Sequence, residues 1–474
     1  MRILFAASEA YPFASTGGLA GVTGSLPKAL CDAGHDVSII MPLYRDIEKI
    51  KDFRWVSGEF STSAGEKFGL AESVIPGTGI PAYFVSKDEY FHRQGIYGPD
   101  NGSAYNDNAV RFAFFCRAVV AFHESLGEPP DVIHCHDWQT GLIPAYMRNC
   151  IRPAVVFTIH NMHFQGNFPP EEYGCTYLPR SLFTMTGLEF YGTFSFLKSG
   201  IVYADQVTTV SRTYAEEIQK PEFGFSLDGL LRERSADLTG ILNGIDYDVW
   251  NPETDGTLAA SYSAVSIAPR RKCRRELLKT HDLDPAGGEL TAGVVSRLTG
   301  QKGLDLLFPI IGRLAERGVR FVILGTGDKC YMDRFSELAL EHPGSVSVNL
   351  KYDEGMARRI FSGCDIIMMP SRFEPCGLAQ MMGMRYGAVP LVNRTGGLAD
   401  TVIDEKDGGF GFVMNGADPE ELYECIIRAS VLYGQRNRWA WLVKKCMKQN
   451  NSWKSRVVLF EDVYSRAVNS RKAR

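Results

Sequence analysis

Short apolar runs alternate with segments of helical period along most of this chain, and the alternation starts twice. Residues 2–7 form an apolar run. Leu19, Val22, Leu26, Ala29, Leu30 and Ala33 then recur at helical spacing, and residues 37–41 form a second apolar run. A short buried strand followed by an amphipathic helix and another buried strand is the signature of a parallel pair with its crossover. Gly34 suits the position just past the helix, and Pro27, inside it, predicts a kink or a break. Further strands are expected over 82–85, 132–134, 155–158 and 202–210, with a helix over 108–126. The pattern restarts with a strand over 290–295, a helix over 304–317 and a strand over 319–324, followed by SVSVNL, DIIMMP and VPLV. The expected fold class is α/β, with two doubly wound, Rossmann-like domains. The boundary is expected near 243–252, and residues 251–268, with weak periodicity, suit a linker or crossover.

Length agrees with that division, since 474 residues exceed what one core organises. A net charge of −4 gives no general basic surface for nucleic acid or an anionic membrane. No apolar run of about 18 residues appears, so no membrane span is expected. The N-terminus, MRILFAASEA, reads as a first strand and not as a signal peptide. Eleven cysteines, with no CxxC pair, suit a reducing, cytoplasmic setting.

The polar residues with chemistry cluster where strands are expected to end. Thr16-Gly17-Gly18-Leu19 follows the first strand and opens a helix; small residues there leave backbone N–H groups free for a phosphate. It is also what a plain tight turn looks like. In DVIHCHDW the strand is expected to end near His134, which puts His136, Asp137 and Trp138 at its carboxyl end, where open α/β sheets bind ligands. His134 and His136 alternate with Cys135 and share a strand face. A metal pair lacks a third ligand of recognisable spacing, and hydrogen-bonded imidazoles are the plainer expectation. His160, in TIHN, follows the next strand and is placed to donate to a sugar hydroxyl.

In the second half, Ser296-Arg297-Leu298-Thr299-Gly300-Gln301-Lys302-Gly303 brings two cations and two glycines into one turn, which suits a diphosphate. PSRFEPCGL places Glu374 in a strand-to-helix turn. There a carboxylate binds sugar hydroxyls or stabilises positive charge at an anomeric carbon. A carboxylate beside anion sites implies a ligand that is part polyol and part phosphate, a sugar nucleotide, held in a cleft between the halves.

These residues stand in strings that resemble the bacterial glycogen/starch synthase family, the type that uses ADP-glucose. The strings are SEAYPFASTGGLAGVTGSLPKAL, DVIHCHDWQTGL, TIHNMHFQGNF, SFLKSGIVYADQVTTVS, GILNGIDYDVWNP, VVSRLTGQKGLD, PSRFEPCGLAQMMGMRYG and RTGGLADTV. The resemblance implies a retaining glycosyltransferase of the GT-B fold: an N-terminal synthase domain over 1–245, a C-terminal nucleotide-sugar domain over 246–455, and a last segment, 456–474, whose helix (about 453–468) crosses back to the first domain. It implies Arg297 and Lys302 on the donor diphosphate, His160 and Asp137 near the transferred glucose and the acceptor, and Glu374 on glucose hydroxyls. Ser15, Gly17 and Gly18, Asn243 in the NGID turn, and Thr395, Gly396 and Gly397 would complete substrate binding. ADP-glucose, or another nucleotide sugar, would be the donor and an α-glucan the acceptor. No metal and no bound cofactor are implied. The leaving diphosphate itself would help deprotonate the incoming hydroxyl.

The chain departs from the family pattern at three places. Ser15 stands where lysine is usual and Gly21 where aspartate is usual. Position 212 is also Arg where proline is common. An active glucan synthase is the reading these strings favour. A catalytically weak or silent glucan- or nucleotide-binding relative, or a GT-B enzyme with an altered donor or acceptor, remain the alternatives. A phosphorylase using pyridoxal phosphate fits the length and the strings poorly.

Overall fold

The apolar run Arg2–Ala6 becomes the strand around which the first unit is built. The structure, a computed structural model, describes residues 1–50, 52–99, 103–283 and 289–473. They divide into two units, Met1–Gly244 with Trp453–Arg474, and Ile245–Ser452.

The ten-stranded sheet of the first unit runs in the order Leu238–Gly240, Gln206–Thr209, Ala154–Ile159, Val132–His136, Arg2–Ala6, Asp36–Pro42, Pro81–Ser86, Lys67–Val74, Arg54–Trp55, with Phe60–Ser61 paired to Lys67–Val74. Every pair from Leu238–Gly240 to Pro81–Ser86 is parallel, and the Lys67–Val74 edge is antiparallel. Chain order reverses between Arg2–Ala6 and Val132–His136. Such a switch point opens a crevice at the strands' carboxyl ends. Parallel strands are buried on both faces, which explains why VVFTI reads as an unbroken run; each of its residues is buried, as is each residue of VIHCH.

The six-stranded sheet of the second unit is parallel throughout, in the order Val346–Asn349, Arg320–Leu324, Thr291–Val295, Ile366–Met369, Val389–Asn393, Phe412–Met414. This is the Rossmann order, and its switch point lies between Thr291–Val295 and Ile366–Met369.

Several expected elements differ in detail. The first helix, Gly18–Asp32, continues through Pro27 without a break. The run expected as a strand over 202–210 is a strand only at Gln206–Thr209. Val202 and Tyr203 finish the helix Phe196–Tyr203, which Ser195 caps by accepting the Lys198 N–H at 3.2 Å. The helix expected over 304–317 splits into a turn at Leu304–Leu307 and a helix at Ile311–Glu316. Pro309, which has no N–H to donate, lies at the break. Residues 251–268 up to the next helix lack regular structure but are no loose linker. Tyr262 is buried and donates to the Tyr386 carbonyl at 2.8 Å, and Tyr386 donates to Asp255 at 2.5 Å. The C-terminal helix spans Val457–Lys472 after a turn at Trp453–Ser455. It packs on the first sheet through Tyr464, whose hydroxyl lies 2.9 Å from His134 Nδ1.

Candidate functional site

Both switch points carry the charged turns. In the second unit, the turn after Thr291–Val295 contains Arg297 and Lys302, and the turn after Ile366–Met369 contains Glu374. The two turns are locked together. Gly303 has a φ of 63°, and a Cβ on it would stand 2.1 Å from the Pro370 carbonyl oxygen, so only glycine lets the first turn lie against the second. The Arg372 N–H donates to the Gln301 carbonyl at 2.9 Å, and Gln301 Nε2 donates to the Phe373 carbonyl at 3.2 Å.

This contact brings Lys302 Nζ to 2.6 Å from Glu374 Oε2, which also accepts the Ser371 hydroxyl at 3.0 Å. Glu374 is 5% exposed. One carboxylate oxygen is therefore held by a cation and a hydroxyl, and Oε1 is left to accept from a ligand. Arg297 is exposed and pairs with no carboxylate among the described residues. The Thr395-Gly396-Gly397 turn braces Glu374 from behind: the Gly397 N–H donates to the Glu374 and Pro375 carbonyls at 3.1 and 3.2 Å. A Cβ on Gly397 would stand 2.2 Å from the Cys376 carbonyl oxygen. That N–H is thus engaged within the protein.

In the first unit, Gly17 precedes the helix Gly18–Asp32, with no side chain capping the helix N-terminus. Its first N–H groups therefore face outward, unpaired within the helix. Ser15, Gly17 and Gly18 are all exposed. Behind them lies a buried carboxylate that sequence reasoning missed. Glu9 accepts the Thr16 N–H at 2.5 Å, the Thr16 hydroxyl at 2.8 Å and the Tyr97 hydroxyl at 2.5 Å. Asp137, just past the strand Val132–His136, has φ 57° and ψ 179° and is buried. Its Oδ1 accepts the His160 N–H at 2.7 Å. Burial pushes the Asp137 carboxyl up to about 7, against hydrogen bonds from the His160 and Asn161 backbones that favour its charged form. His160 is half-buried, and burial lowers its imidazole to about 3, so it is neutral near pH 7. Asn243 is buried beside the turn that follows the sheet's edge strand Leu238–Gly240.

A family model described as the starch synthase catalytic domain matches residues 2–233, and one described as glycosyl transferases group 1 matches residues 289–430. The chain is 43% identical to a glycogen synthase of Syntrophotalea carbinolica, with 99% of both chains covered. It is 42% identical to glycogen synthase 2 of Geobacter sulfurreducens, with 100% of both covered. The chain belongs to the glycogen synthase family. The solved catalytic domain of starch synthase IV from Arabidopsis thaliana, bound to ADP and acarbose, superposes with a TM-score of 0.91 at 32% identity, covering 99% of both chains. A sucrose-phosphate synthase from Thermosynechococcus elongatus, at 18% identity and a TM-score of 0.63, shares the fold alone. The chain is accordingly a glycosyltransferase of the GT-B fold, with a Rossmann-like α/β arrangement in each unit.

Within this family fold the structure brings Arg297, Lys302, Glu374 and the Thr395–Gly397 turn to one switch point, and Asp137, His160 and the Gly17-Gly18 turn to the other. The strand Val132–His136 extends two residues beyond its expected end, so His136 belongs to the strand and points into the sheet's buried side chains. His134 and His136 lie side by side, ring centroids 4.2 Å apart, and both are hydrogen-bonded. Among the described residues no group of three or more His, Cys, Asp or Glu is arranged to hold a metal, and no helix is long and apolar enough to cross a membrane.

Proposed function

We propose that this chain is a retaining α-1,4-glucan synthase that transfers glucose from ADP-glucose to the non-reducing 4-hydroxyl of a glucan in the cytoplasm. The observation that carries the reading is the Lys302–Glu374 pair, with Arg297 unpaired in the same turn system. A diphosphate needs two cations and a glucosyl group needs a hydroxyl acceptor, and this switch point supplies both kinds of group. The donor's bond from C1 to the diphosphate oxygen breaks as the acceptor's 4-oxygen bonds to C1, and the acceptor proton passes to the departing diphosphate. Arg297 and Lys302 stabilise the charge that grows on that diphosphate. Glu374 holds glucose hydroxyls and favours the positive charge developing at C1. His160 and Asp137 orient the sugar and the acceptor. Ser15, Gly17, Gly18, Asn243, Thr395, Gly396 and Gly397 shape the substrate sites around these groups.

The reading is tested by glucose incorporation into glycogen from ADP-glucose and, separately, from UDP-glucose. Turnover with ADP-glucose is expected. Incorporation from UDP-glucose alone would replace the donor assignment, and incorporation from neither would reject the synthase reading.

Ser15 qualifies the rate. It is exposed two residues before Gly17 and supplies no charge where the family usually has lysine. A charge-assisted contact is worth roughly 1.5–3 kcal/mol, which is about one to two decades in rate. Ser15→Lys is therefore expected to raise kcat/KM for ADP-glucose by at least about tenfold. An unchanged value would show that position 15 does not meet the donor.

A further inference from the structure

Three histidines, two buried and His160 half-buried, stand in a row at the carboxyl ends of two neighbouring strands. Val132–His136 pairs with Ala154–Ile159 so that His136 lies opposite Thr158, and His160 follows directly after that second strand. Both nitrogens of His134 are engaged: Nδ1 with the Tyr464 hydroxyl at 2.9 Å and Nε2 with the Thr158 hydroxyl at 2.6 Å. His136 Nδ1 lies 3.0 Å from His160 Nε2. His136 Nε2 is buried and has no hydrogen-bond partner among the described residues. The ring is packed against two neighbouring rings. It is stacked on Phe5 at 5.2 Å with an interplanar angle of 18°, and His134 packs beside it at 4.2 Å.

Burial lowers all three imidazoles, His134 and His160 to about 3 and His136 well below its ordinary value. Each ring then carries one proton near neutral pH, and a hydrogen bond between two neutral rings needs one N–H and one lone pair. Two arrangements satisfy it. If His160 donates from Nε2, the proton of His136 sits on its own Nε2, a buried N–H with no acceptor. If His136 donates from Nδ1, its Nε2 is a buried lone pair. Among backbone groups a buried N–H without an acceptor is rarer than an under-satisfied acceptor, and the same preference applied to the ring favours the second arrangement. The second arrangement also places the proton of His160 on Nδ1, the nitrogen with no hydrogen-bond partner among the described residues.

We propose that His136 is a positioning residue that fixes His160 as its Nδ1–H tautomer, so that the open nitrogen of His160 donates to a sugar hydroxyl and does not act as a base. The sugar in this statement rests on the synthase reading; the tautomer does not. His134, held at both ends by Tyr464 and Thr158, keeps the His136 ring in register. The C-terminal helix thereby contributes to the geometry of His160 through two side chains.

The test uses the full chain labelled with 15N-histidine, in which long-range proton–nitrogen correlations report which ring nitrogen bears the proton. The chain has nine histidines, and the His136→Asn and His160→Asn variants assign the two signals. The wild type is expected to show protonated Nδ1 and bare Nε2 at His160. His136→Asn keeps an N–H near the place of Nδ1, and His136→Leu removes it. At comparable melting temperature Asn is expected to retain about tenfold more kcat than Leu, with the KM for glucan alike in both. A His160 protonated at Nε2 overturns the proposal whatever the activity. So does a His160 Nδ1–H signal that persists unchanged in His136→Leu, because the tautomer would then not depend on His136. The expected tautomer in a chain that incorporates no glucose would support the positioning role and reject only the synthase reading.

Discussion

Replacing Glu374 by glutamine or alanine is expected to lower glucosyl transfer about a thousandfold without unfolding the chain. The size follows from the role proposed for the carboxylate. Preorganised groups facing the charge of a transition state are worth about two to three decades each when removed. Glu374 is preorganised by four contacts: Lys302 Nζ and the Ser371 hydroxyl on Oε2, and the Gly397 and Gln301 hydrogen bonds that hold its turn. Glutamine fills the same space and can still accept from Ser371, so it tests the charge alone. Truncating one partner of a buried ion pair costs roughly 3–5 kcal/mol when the other charge is stranded. The Lys302 side chain, however, retains 14% exposure and can turn to water, so the stability loss should be smaller. With Arg297 and Lys302 unchanged, the KM for ADP-glucose should move little while kcat falls. The measurement is steady-state kinetics beside a melting curve. A glutamine variant within about tenfold of wild type would remove Glu374 from the chemistry.

The fold and the site were legible in the sequence to different depths. A strand buried on both faces is mostly apolar, so the parallel sheets showed themselves as repeated runs such as VVFTI and DIIMM. Turns at strand ends need glycine and can expose charge, so SRLTGQKG and SRFEPCG mark strand ends in the sequence itself. Side-chain pairing was out of reach. Lys302 meets Glu374 across 72 residues only because Gly303 lies against the Pro370 carbonyl. His136 meets His160 because two strands pair in one register and the first is two residues longer than its apolar run suggested. Glu9 sits in SEAYP with nothing local to show that its carboxylate would be buried under Thr16. The antiparallel edge at Lys67–Val74 mixes Lys, Gly and Glu with its apolar residues and gave no clean period. Register, backbone twist and the direction of buried carboxylates are tertiary properties, and most of the site's geometry depends on them.

If Asp137 serves the transfer as proposed, it does so at a cost in stability. Its φ of 57° with ψ of 179° lies in a region populated almost only by glycine, at a cost of about 1–3 kcal/mol. Its carboxyl is also buried and pushed up to about 7. In the unfolded chain the same group ionises near 3.8. Between these two values the native state keeps a proton that the unfolded state has lost, so stability falls as pH rises through that window. Above about pH 7 the native carboxylate is charged and the full penalty is present; below about pH 4 it has vanished. Asp137→Asn keeps an oxygen to accept the His160 N–H and removes the titration. Its melting temperature is expected to exceed that of the wild type at about pH 8, by a margin that shrinks steadily toward pH 4. Asp137→Gly should add relief of the backbone strain but gives up the acceptor that orients His160. Both variants should transfer glucose at least about tenfold more slowly, the pattern expected where a strained, poorly solvated group serves the reaction. An asparagine variant less stable than wild type at high pH, or a margin independent of pH, would mean that the buried carboxylate is a structural asset and that its burial needs another explanation.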